Sequence, residues 1–580
     1  MNWEVLTMRS RASFFNGTLF KKNIRRFLPL WGLYTLALLL MLPVTTASSA
    51  VMYINNIQPD YDAFAVAALG AAHYGGMILN FFYGCGCAMA VFSYLFNSRS
   101  AGMLHALPLS RECHFVTNAA SGLSFGLVPM LVAAAITVPI CAANGLSLAV
   151  VFSWFGIMAL SFLFFFGFAA FVAMLTGSIV ILPVAYGIFN FAAVIVEGLV
   201  REVISEIVYG VSEGALMFDV LSPVVHLFGN KEVDYATGAY CSWPYLIIIA
   251  AAGLVFLAAA CAAYRRRPAE SAGDVVVGRK LKYVFKYCFT FACALVFGYI
   301  ICIVAFGGEV GALSYGISAV IAAALGWFGA EMMLKKTVRV FKSGWKGLIV
   351  CALIIAAIVA AFEFDVFGLE SWVPDAGDVE SAKLYFGGGQ PVESAELTED
   401  ITELHRRLIA DKDEIESIFS TDGPIDAEWR RVNISYTMSS GQVRSREYTM
   451  LTDSAELADP KSPAAYVGQI ALSEEFVKSK LPYESLDEVG FYYCSVYSYT
   501  EESWVCELEY AKALELYRLC REDALNGNIS AQNIINLGGE FGYQVEFEIS
   551  SDNGRSEMIN VYVTEAMPQA YAWLRNEALG

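Results

Sequence analysis

The chain has 580 residues, of which 57% are hydrophobic and only 16% are charged, and its mean hydropathy is +0.52. Because soluble domains carry about 25% charged residues, this composition excludes an ordinary soluble protein and indicates a polytopic membrane protein. The formal net charge of −18 is unevenly placed, since residues 368–580 hold 39 Asp and Glu against 16 Lys and Arg. An acidic excess of this size argues against nucleic acid as a partner.

Nine apolar stretches have the length of about 20 residues that a helix needs to cross a bilayer. They are Phe27–Ala47, Tyr74–Phe96, Val116–Ala142, Leu148–Leu175, Ser178–Leu199, Trp243–Tyr264, Val284–Phe306, Leu313–Leu334 and Leu348–Phe367. Only Thr176-Gly177 separates the fourth stretch from the fifth, but Pro183 and the total length favour two helices there. The sequence therefore predicts about nine transmembrane helices.

Lys and Arg residues determine the predicted orientation. With the N-terminus in the cytoplasm, the predicted inside segments hold 20 of these residues, and the outside loops before residue 368 hold only Arg201 and Lys231. The positive-inside rule thus predicts a cytoplasmic N-terminus and an extracytoplasmic tail. The cluster Lys21–Arg26 imitates a secretory signal, but eight further spans favour an uncleaved first helix.

The segment Asn97–Phe115 between the second and third spans is short, basic and rich in turn residues. Its apolar part, Gly102–Leu107, is long enough for about two helical turns and stops at Pro108, and Ser110-Arg111 then opens the next span as a cap-like pair. We expect a docking helix with one apolar face, although a plain tight turn is the alternative. In a docking helix, the residues that contact the soluble partner or shape the contact are Leu104, Leu107, Pro108, Ser110 and Arg111. Arg111 is expected to face an acidic rim of that partner or the phosphates of the lipid.

The sequence Leu107-Pro108-Leu109-Ser110-Arg111 resembles the coupling motif in membrane subunits of ABC-2 type exporters. The resemblance implies an interfacial elbow helix in 1–26 that lies on membrane lipid, and a six-helix unit in 27–264. It also implies that loop 97–115 contacts a separate ABC ATPase subunit, and that a second membrane subunit, identical or different, completes the transporter. The implied substrates are peptides, antibiotics, lipids or envelope precursors. A cytoplasmic linker at 265–283 and three additional spans in 284–367 depart from the simplest members of this family.

The longest loop of the membrane half, 199–242, contains an amphipathic pattern. Val203, Ile204, Ile207 and Val208 fall on one face of a helix, with charged residues on the other. We expect an interfacial or re-entrant helix here. The resemblance assigns this segment the role of an outer gate.

Polar side chains inside the predicted spans are candidates for a substrate path or a proton relay. His73, near the outer edge of the second span, and Asn80 within that span either line a water-filled conduit or hydrogen-bond a neighbouring helix. Glu331 lies one turn from Lys335 in the eighth span. An intramembrane carboxylate could serve a relay, but the i,i+4 spacing favours an ion pair at the inner headgroup level.

Residues 368–580 are predicted to form an acidic extracytoplasmic α+β domain that is either simply solvated or binds cationic ligands. The predicted helices are Thr398–Ile418, Pro463–Lys480 and Ala511–Asn526, and the predicted strands are Arg431–Met438, Arg444–Leu451, Val489–Tyr499, Glu502–Leu508, Tyr543–Ser550 and Glu557–Val563. A helix followed by a hairpin recurs roughly every 70–80 residues, which indicates a repeated domain. The spacing of Cys494 and Cys506 permits a disulfide without establishing one.

No catalytic constellation is apparent in the sequence. It has five His, no His-Glu-x-x-His and no phosphate loop. Together with this absence, the resemblance to ABC-2 type exporters implies a non-catalytic permease subunit without metal or cofactor, whose ATPase is a partner chain. The alternative is a membrane-anchored receptor whose acidic outer domain binds a cationic peptide, and an intramembrane enzyme is the third hypothesis.

Overall fold

The computed structural model of the chain describes residues 14–48, 63–106, 108–212, 217–229, 233–234, 239–307, 311–341, 345–386, 392–415, 429–452, 454–488, 490–499, 503–528, 542–550 and 556–578. Nine helices within these ranges are long and apolar enough to cross a membrane, so all nine predicted stretches are helical. The protein is therefore a polytopic helical membrane protein with a strand-containing C-terminal region.

The helices of the membrane-spanning part follow the chain in order. They are α1 Gly17–Arg26, α2 Leu28–Ser48, α3 Phe64–Phe96, α4 Ser98–His105, α5 Arg111–Asn144, α6 Leu148–Leu175, α7 Ile181–Ile207, α8 Pro223–Gly229, α9 Trp243–Arg266, α10 Arg279–Phe306, α11 Ala312–Lys335 and α12 Trp345–Glu363. Of these, α1, α4 and α8 are too short to span a bilayer. Helix α3 begins at Phe64, well before the predicted Tyr74, because its first turns are also apolar.

The chain divides into two compact units. The membrane unit comprises Met1–Val200, Leu216–Glu309 and Leu313–Ala356. The C-terminal unit comprises Arg201–Ala215, Val310–Ala312 and Ala357–Gly580. The predicted boundary at residue 368 is close to this division, but the short segment after Val200 also belongs to the C-terminal unit, which the sequence did not indicate.

Helix α6 is the most deeply buried of the nine long helices. Its Gly167 faces Gly253 of α9, where a Cβ added to Gly167 would lie 2.3 Å from the Gly253 carbonyl oxygen. Glycine is required at this crossing because it lets two helix backbones approach closely. The largest side chains of the surrounding core are Trp154, Phe162, Phe165 and Phe166.

The separate gate helix predicted for Val203, Ile204, Ile207 and Val208 is wrong. Helix α7 continues unbroken to Ile207, so these residues form its last turns and the position just after it. The charged residues that follow Leu199 end the apolar run, but they include no Pro and no capping signal that would end a helix. Val203 and Val208 are buried, and Ile204 and Ile207 are half-buried.

Spans α10 and α11 are joined by a buried ion pair. Glu331 binds Lys335 at 2.9 Å, which confirms the favoured i,i+4 pair. It also binds Lys286 of α10, which sequence reasoning missed because helix neighbours cannot be derived from spacing along one chain. Lys286 Nζ lies 3.5 Å from the centre of the Trp327 ring as well, so one carboxylate and one indole hold this ammonium group.

The C-terminal unit contains two four-stranded antiparallel sheets. The first has the order β2-β1-β3-β4 and the second the order β6-β5-β7-β8. The strands are β1 Val379–Phe386, β2 Val392–Ser394, β3 Trp429–Met438, β4 Val443–Leu451, β5 Gly490–Ser498, β6 Ser503–Leu508, β7 Tyr543–Ser550 and β8 Ser556–Val563. The helices are α13 Thr398–Ala410, α14 Ser454–Ala458, α15 Pro463–Ala471, α16 Glu474–Lys480, α17 Tyr510–Leu525 and α18 Pro568–Trp573.

The matching strand orders show that the predicted repeat is present, but the predicted repeat unit is wrong. Each half starts with a hairpin, then has a helix and a second hairpin, so one repeat begins at β1 and the next at β5. Sequence reasoning missed β1 and β2, which shortened the apparent period. The predicted helix Pro463–Lys480 is also two helices, because Ser473 Oγ caps a new one by accepting from Phe476 N at 3.2 Å.

Cys494 and Cys506 are both free thiols in the structure. The strand register pairs Cys494 with Leu508 and Cys506 with Val496, so the two cysteines are not direct cross-strand partners. The disulfide that the spacing permitted is therefore not formed. The predicted strands Tyr543–Ser550 and Glu557–Val563 form a hairpin, since β7 pairs with β8, and the turn between them lies outside the described residues.

The first sheet has its edge strand β4 covered by the chain that follows α7, within the C-terminal unit. Glu447 N donates to Gly210 O at 3.2 Å, and Val211 forms an isolated bridge with Arg446. Gly210 has a φ of +74°, and a Cβ there would lie 2.2 Å from the Tyr448 ring. This contact protects an edge strand whose backbone groups would otherwise be open to pairing.

Candidate functional site

The short helix predicted in segment 97–115 is present as α4. Asn97 caps it, because its Oδ1 accepts from Arg99 N at 3.0 Å, and Ser110 Oγ caps α5 by accepting from Cys113 N at 3.1 Å. Ser110 thus has the predicted capping role, and Pro108 lies exposed between the two helices. Leu107 lies outside the described residues.

The apolar surface of α4 differs from the predicted one. Leu104 is half-buried and packs against the core of the membrane unit, whereas Met103 is 72% exposed. Ala101, three residues before Leu104 and on the same side of the helix, is also buried. The apolar side chain that α4 presents outward is therefore Met103, which the sequence prediction did not name.

Arg111 is exposed, but its guanidinium group binds backbone carbonyl groups of the same chain, which the sequence did not indicate. Its Nη1 donates to Arg265 O at 3.0 Å and to Arg267 O at 2.9 Å, which satisfies carbonyl groups at the C-terminal end of α9. The neighbouring Glu112 forms an ion pair with Arg265 at 2.9 Å. The start of α5 is thus bound to the end of α9.

Arg267 makes a second connection of this kind and was missed in the sequence. Although it follows two other arginines, it is only 6% exposed. Its Nη1 donates to Ala173 O in α6 at 2.7 Å, and its Nη2 lies 3.4 Å from Leu95 O in α3. One buried guanidinium group therefore joins the ends of α3 and α6 to the residue that follows α9.

The linker after α9 docks on the turn between α6 and α7. Gly177 N donates to Asp274 O at 2.9 Å, and Gly273 N donates to Gly177 O at 2.7 Å. A Cβ on Gly177 would lie 2.0 Å from Ser271 O, so only glycine fits there. These contacts bring together residues 95–106, 108–111, 173–178 and 264–278, which we name the α4 face.

Helix α1 lies against α5 through polar side chains. Asn23 Nδ2 donates to Asn118 Oδ1 at 2.8 Å and to Ser121 Oγ at 3.2 Å, while Asn16 N donates to Thr117 Oγ1 at 3.0 Å. Asn23 is buried, whereas the basic residues of the helix, Lys21, Lys22, Arg25 and Arg26, are exposed. This is the amphipathic arrangement expected for the elbow helix.

Within segment 199–242, residues that follow the predicted gate residues are hydrogen-bonded to α7 and α9 of the membrane unit. The carboxylate of Glu197 in α7 accepts from Met217 N at 2.6 Å and from Phe218 N at 2.7 Å. Tyr245 Oη donates to Val220 O at 2.8 Å, farther along the same segment. We name residues 217–229 the cover segment.

His73 holds the cover segment from another side. It is completely buried, with Nδ1 at 2.8 Å from Tyr240 Oη and Nε2 at 2.6 Å from Leu227 O. Asn80 is also completely buried. Its Oδ1 accepts from Tyr34 Oη at 2.6 Å, and its Nδ2 donates to Met158 O at 2.9 Å. Both side chains therefore bind protein groups, and neither lines an open conduit in this structure.

The C-terminal unit contains a buried polar cluster around His405. Its Nδ1 lies 3.1 Å from Tyr436 Oη and its Nε2 lies 2.7 Å from Tyr448 Oη. Burial, together with the nearby Arg446 and Arg406 guanidinium groups, lowers the pKa of His405 to about 3. The imidazole is therefore neutral at physiological pH and acts as a hydrogen-bonding link between two strands and a helix.

We expect this cluster to make the C-terminal unit sensitive to acid. Because the folded-state pKa of His405 lies below the unfolded value of about 6.5, its contribution to stability is complete above pH ~6.5 and is lost as the pH falls toward 3. When the pH is lowered from 7 to 4.5, the free energy of unfolding should fall by about 2–3 kcal/mol more in the wild-type protein than in the His405→Gln variant. Thermal unfolding of both proteins, followed by tryptophan fluorescence, measures this. Equal losses would contradict the assignment.

Metal-binding chemistry has no obvious location in the part of the chain that the structure describes. No group of three or more His, Cys, Asp or Glu side chains there is arranged to hold a metal ion. Comparison with family models, with curated proteins and with solved structures finds no match to this chain.

Proposed function

We propose that this chain is the membrane subunit of an ABC-2 type exporter. A separate ATPase would bind the α4 face, and ATP hydrolysis there would drive export of a peptide, antibiotic, lipid or envelope-related substrate. In this proposal the α4 face lies in the cytoplasm of a bacterial cell and the C-terminal unit lies outside. The observation that carries the proposal is the arrangement around α4, a short capped helix. Hydrogen bonds join the residues around it to the ends of α3, α5, α6 and α9.

The contacts at the α4 face support a role in transmitting force. An isolated helix as short as α4 is marginal in water, so a partner could not push on it effectively unless both ends were held. Asn97 and Ser110 provide the caps on either side, and Arg111 and Arg267 bind carbonyl groups of the neighbouring spans. A displacement of α4 would therefore be carried to α3, α5, α6 and α9 together.

Met103 is the residue we expect to contact the ATPase. An exposed thioether can fill an irregular apolar pocket, and burying a carboxylate in such a contact is unfavourable. Met103→Asp should reduce co-purification of the ATPase about tenfold or more and abolish substrate-stimulated ATP hydrolysis. The experiment is affinity purification of the full-length chain in mild detergent, followed by mass identification of the bound proteins.

Val338→Asp is the matched control, because Val338 is 71% exposed and follows α11 outside the α4 face. It should retain the ATPase. If Met103→Asp also retains its partner and its stimulated turnover, α4 is only a turn between two spans and the exporter proposal fails.

A membrane-anchored receptor is the second candidate function. One face of the second sheet in the C-terminal unit carries aromatic rings and carboxylates, which is the composition of a cation-binding site. A receptor without transport activity would co-purify with a signalling partner rather than an ATPase. The same purification therefore discriminates between the two functions.

A further inference from the structure

The second sheet of the C-terminal unit has two chemically different faces. Its inner face packs against α17 and α18 and is apolar. The residues that this face contributes to the core are Cys494, Val496, Val545, Phe547, Ile559 and Val561. Because side chains alternate along a strand, the residues between these positions point to the opposite face.

The strand register arranges this opposite face in rows. In one row Tyr497 pairs with both Trp504 and Gln544, and Gln544 pairs with Tyr562. In the next row Ser495 pairs with Glu507 and Glu546. The residues of this surface, which we name the aromatic–acidic face, are Tyr493, Ser495, Tyr497, Trp504, Glu507, Gln544, Glu546, Glu548, Met558, Asn560 and Tyr562.

The aromatic side chains of this face contact one another and remain accessible. The Tyr497 ring centre lies 5.3 Å from that of Trp504 and 5.3 Å from that of Tyr499. Trp504 is 56% exposed and Tyr493 is 39% exposed. Large aromatic groups on a solvent-facing sheet surface are a common feature of binding sites.

Three carboxylates lie among these rings. The register pairs Tyr493 with Glu548, and it places Glu546 and Glu507 on either side of Ser495 in the next row. Desolvation, followed by these carboxylates, raises the pKa of the Tyr493 phenol. A hydrogen-bond chain fixes one of them, since Tyr499 Oη donates to Gln544 Oε1 at 2.8 Å and Gln544 Nε2 donates to Glu546 Oε1 at 2.7 Å. None of the described positions of the face is Lys or Arg.

We propose that the aromatic–acidic face binds a Lys- or Arg-rich peptide. Carboxylates attract its cationic groups, and the faces of Trp504 and the tyrosines bind them through cation–π contacts, the most favourable of which use Trp. The acidic excess of residues 368–580 adds long-range attraction for such a ligand. The site goes beyond the proposed transport function, because neither the α4 face nor an ATPase takes part in it.

The edge strand β6 is the side from which the peptide enters. Both Trp504 and Glu507 on β6 are exposed. At the other edge, Tyr562 of β8 has Tyr385 of the first sheet as a neighbour. The peptide therefore lies along β6 and β5 rather than along β8.

The test measures binding of a fluorescent deca-lysine peptide to the full-length protein in detergent, by anisotropy at physiological salt. Glu507→Gln combined with Glu546→Gln should raise the Kd about tenfold, and Trp504→Ala about three- to tenfold. Trp504→Phe retains a ring and should recover part of the lost affinity. The control is Glu515→Gln, which removes an exposed carboxylate from α17 on the other side of the sheet and should leave the Kd unchanged.

Two outcomes would overturn the proposal. An equal loss of affinity in Glu515→Gln would mean that the peptide responds only to diffuse negative charge. Equal binding of a deca-glutamate peptide would mean that the face does not select cations. Co-purification of the ATPase should be the same in all these variants, so failure of this site and failure of the exporter proposal are separate results.

Discussion

Replacing Glu331 by Gln is expected to lower the free energy of unfolding of the membrane unit by about 3–5 kcal/mol. Glu331 is 7% exposed and Lys286 is 8% exposed, so neither charge is well solvated. The neutral amide would leave the buried Lys286 ammonium without its carboxylate partner. Only the cation–π contact with the Trp327 ring would remain. The measurement is thermal unfolding of the purified full-length protein in detergent.

Two further variants separate the buried pair from the surface pair. The double change Lys286→Met with Glu331→Leu removes both charges and should recover most of the lost stability, because an apolar pair can replace a buried ion pair. Lys335 is 46% exposed at its side chain, so Lys335→Met should cost less than about 1 kcal/mol. If Glu331→Gln is no more destabilising than Lys335→Met, Lys286 is not held by this carboxylate.

Replacing Glu197 by Ala is expected to release the cover segment and to lower the free energy of unfolding by about 3 kcal/mol. The reason is that this buried carboxylate accepts two backbone N–H groups and so forms two charge-assisted hydrogen bonds. The amides of Met217 and Phe218 would lose their acceptor. Their hydrogen exchange, measured by mass spectrometry, should therefore accelerate by about tenfold or more. If the cover segment is an outer gate, transport should also fall.

The control for this change is Glu206→Ala on the same helix, because Glu206 is exposed. It should leave exchange at Met217 and Phe218 at the wild-type rate. Unchanged exchange in Glu197→Ala would show that the segment is held by His73 and Tyr245 alone. Equal acceleration in both variants would point to a general loosening of α7 and would contradict the specific role of Glu197.

Much of the candidate site was predictable because it depends on local sequence signals. The end of the second span, a short helix and a Ser-capped third span all follow from residues that are neighbours in the chain. The partners of Arg111 and Arg267 could not be predicted in the same way, because they are carbonyl oxygens of residues many positions away. The outward position of Met103 likewise depends on which side of α4 the rest of the unit covers.

The sequence by itself determined the nine long apolar helices found among the described residues, the acidic C-terminal region, the Glu331–Lys335 pair and most of the strands. Each of these depends on composition or on a period of a few residues, and burial in lipid or in a sheet requires such patterns. The tertiary structure alone decided that α7 continues past Leu199, that Glu197 and His73 hold the cover segment, and that Lys286 reaches Glu331. It also decided the strand order that places Trp504, Tyr497 and the glutamates on one face, because pairing between distant strands depends on the global packing of the chain.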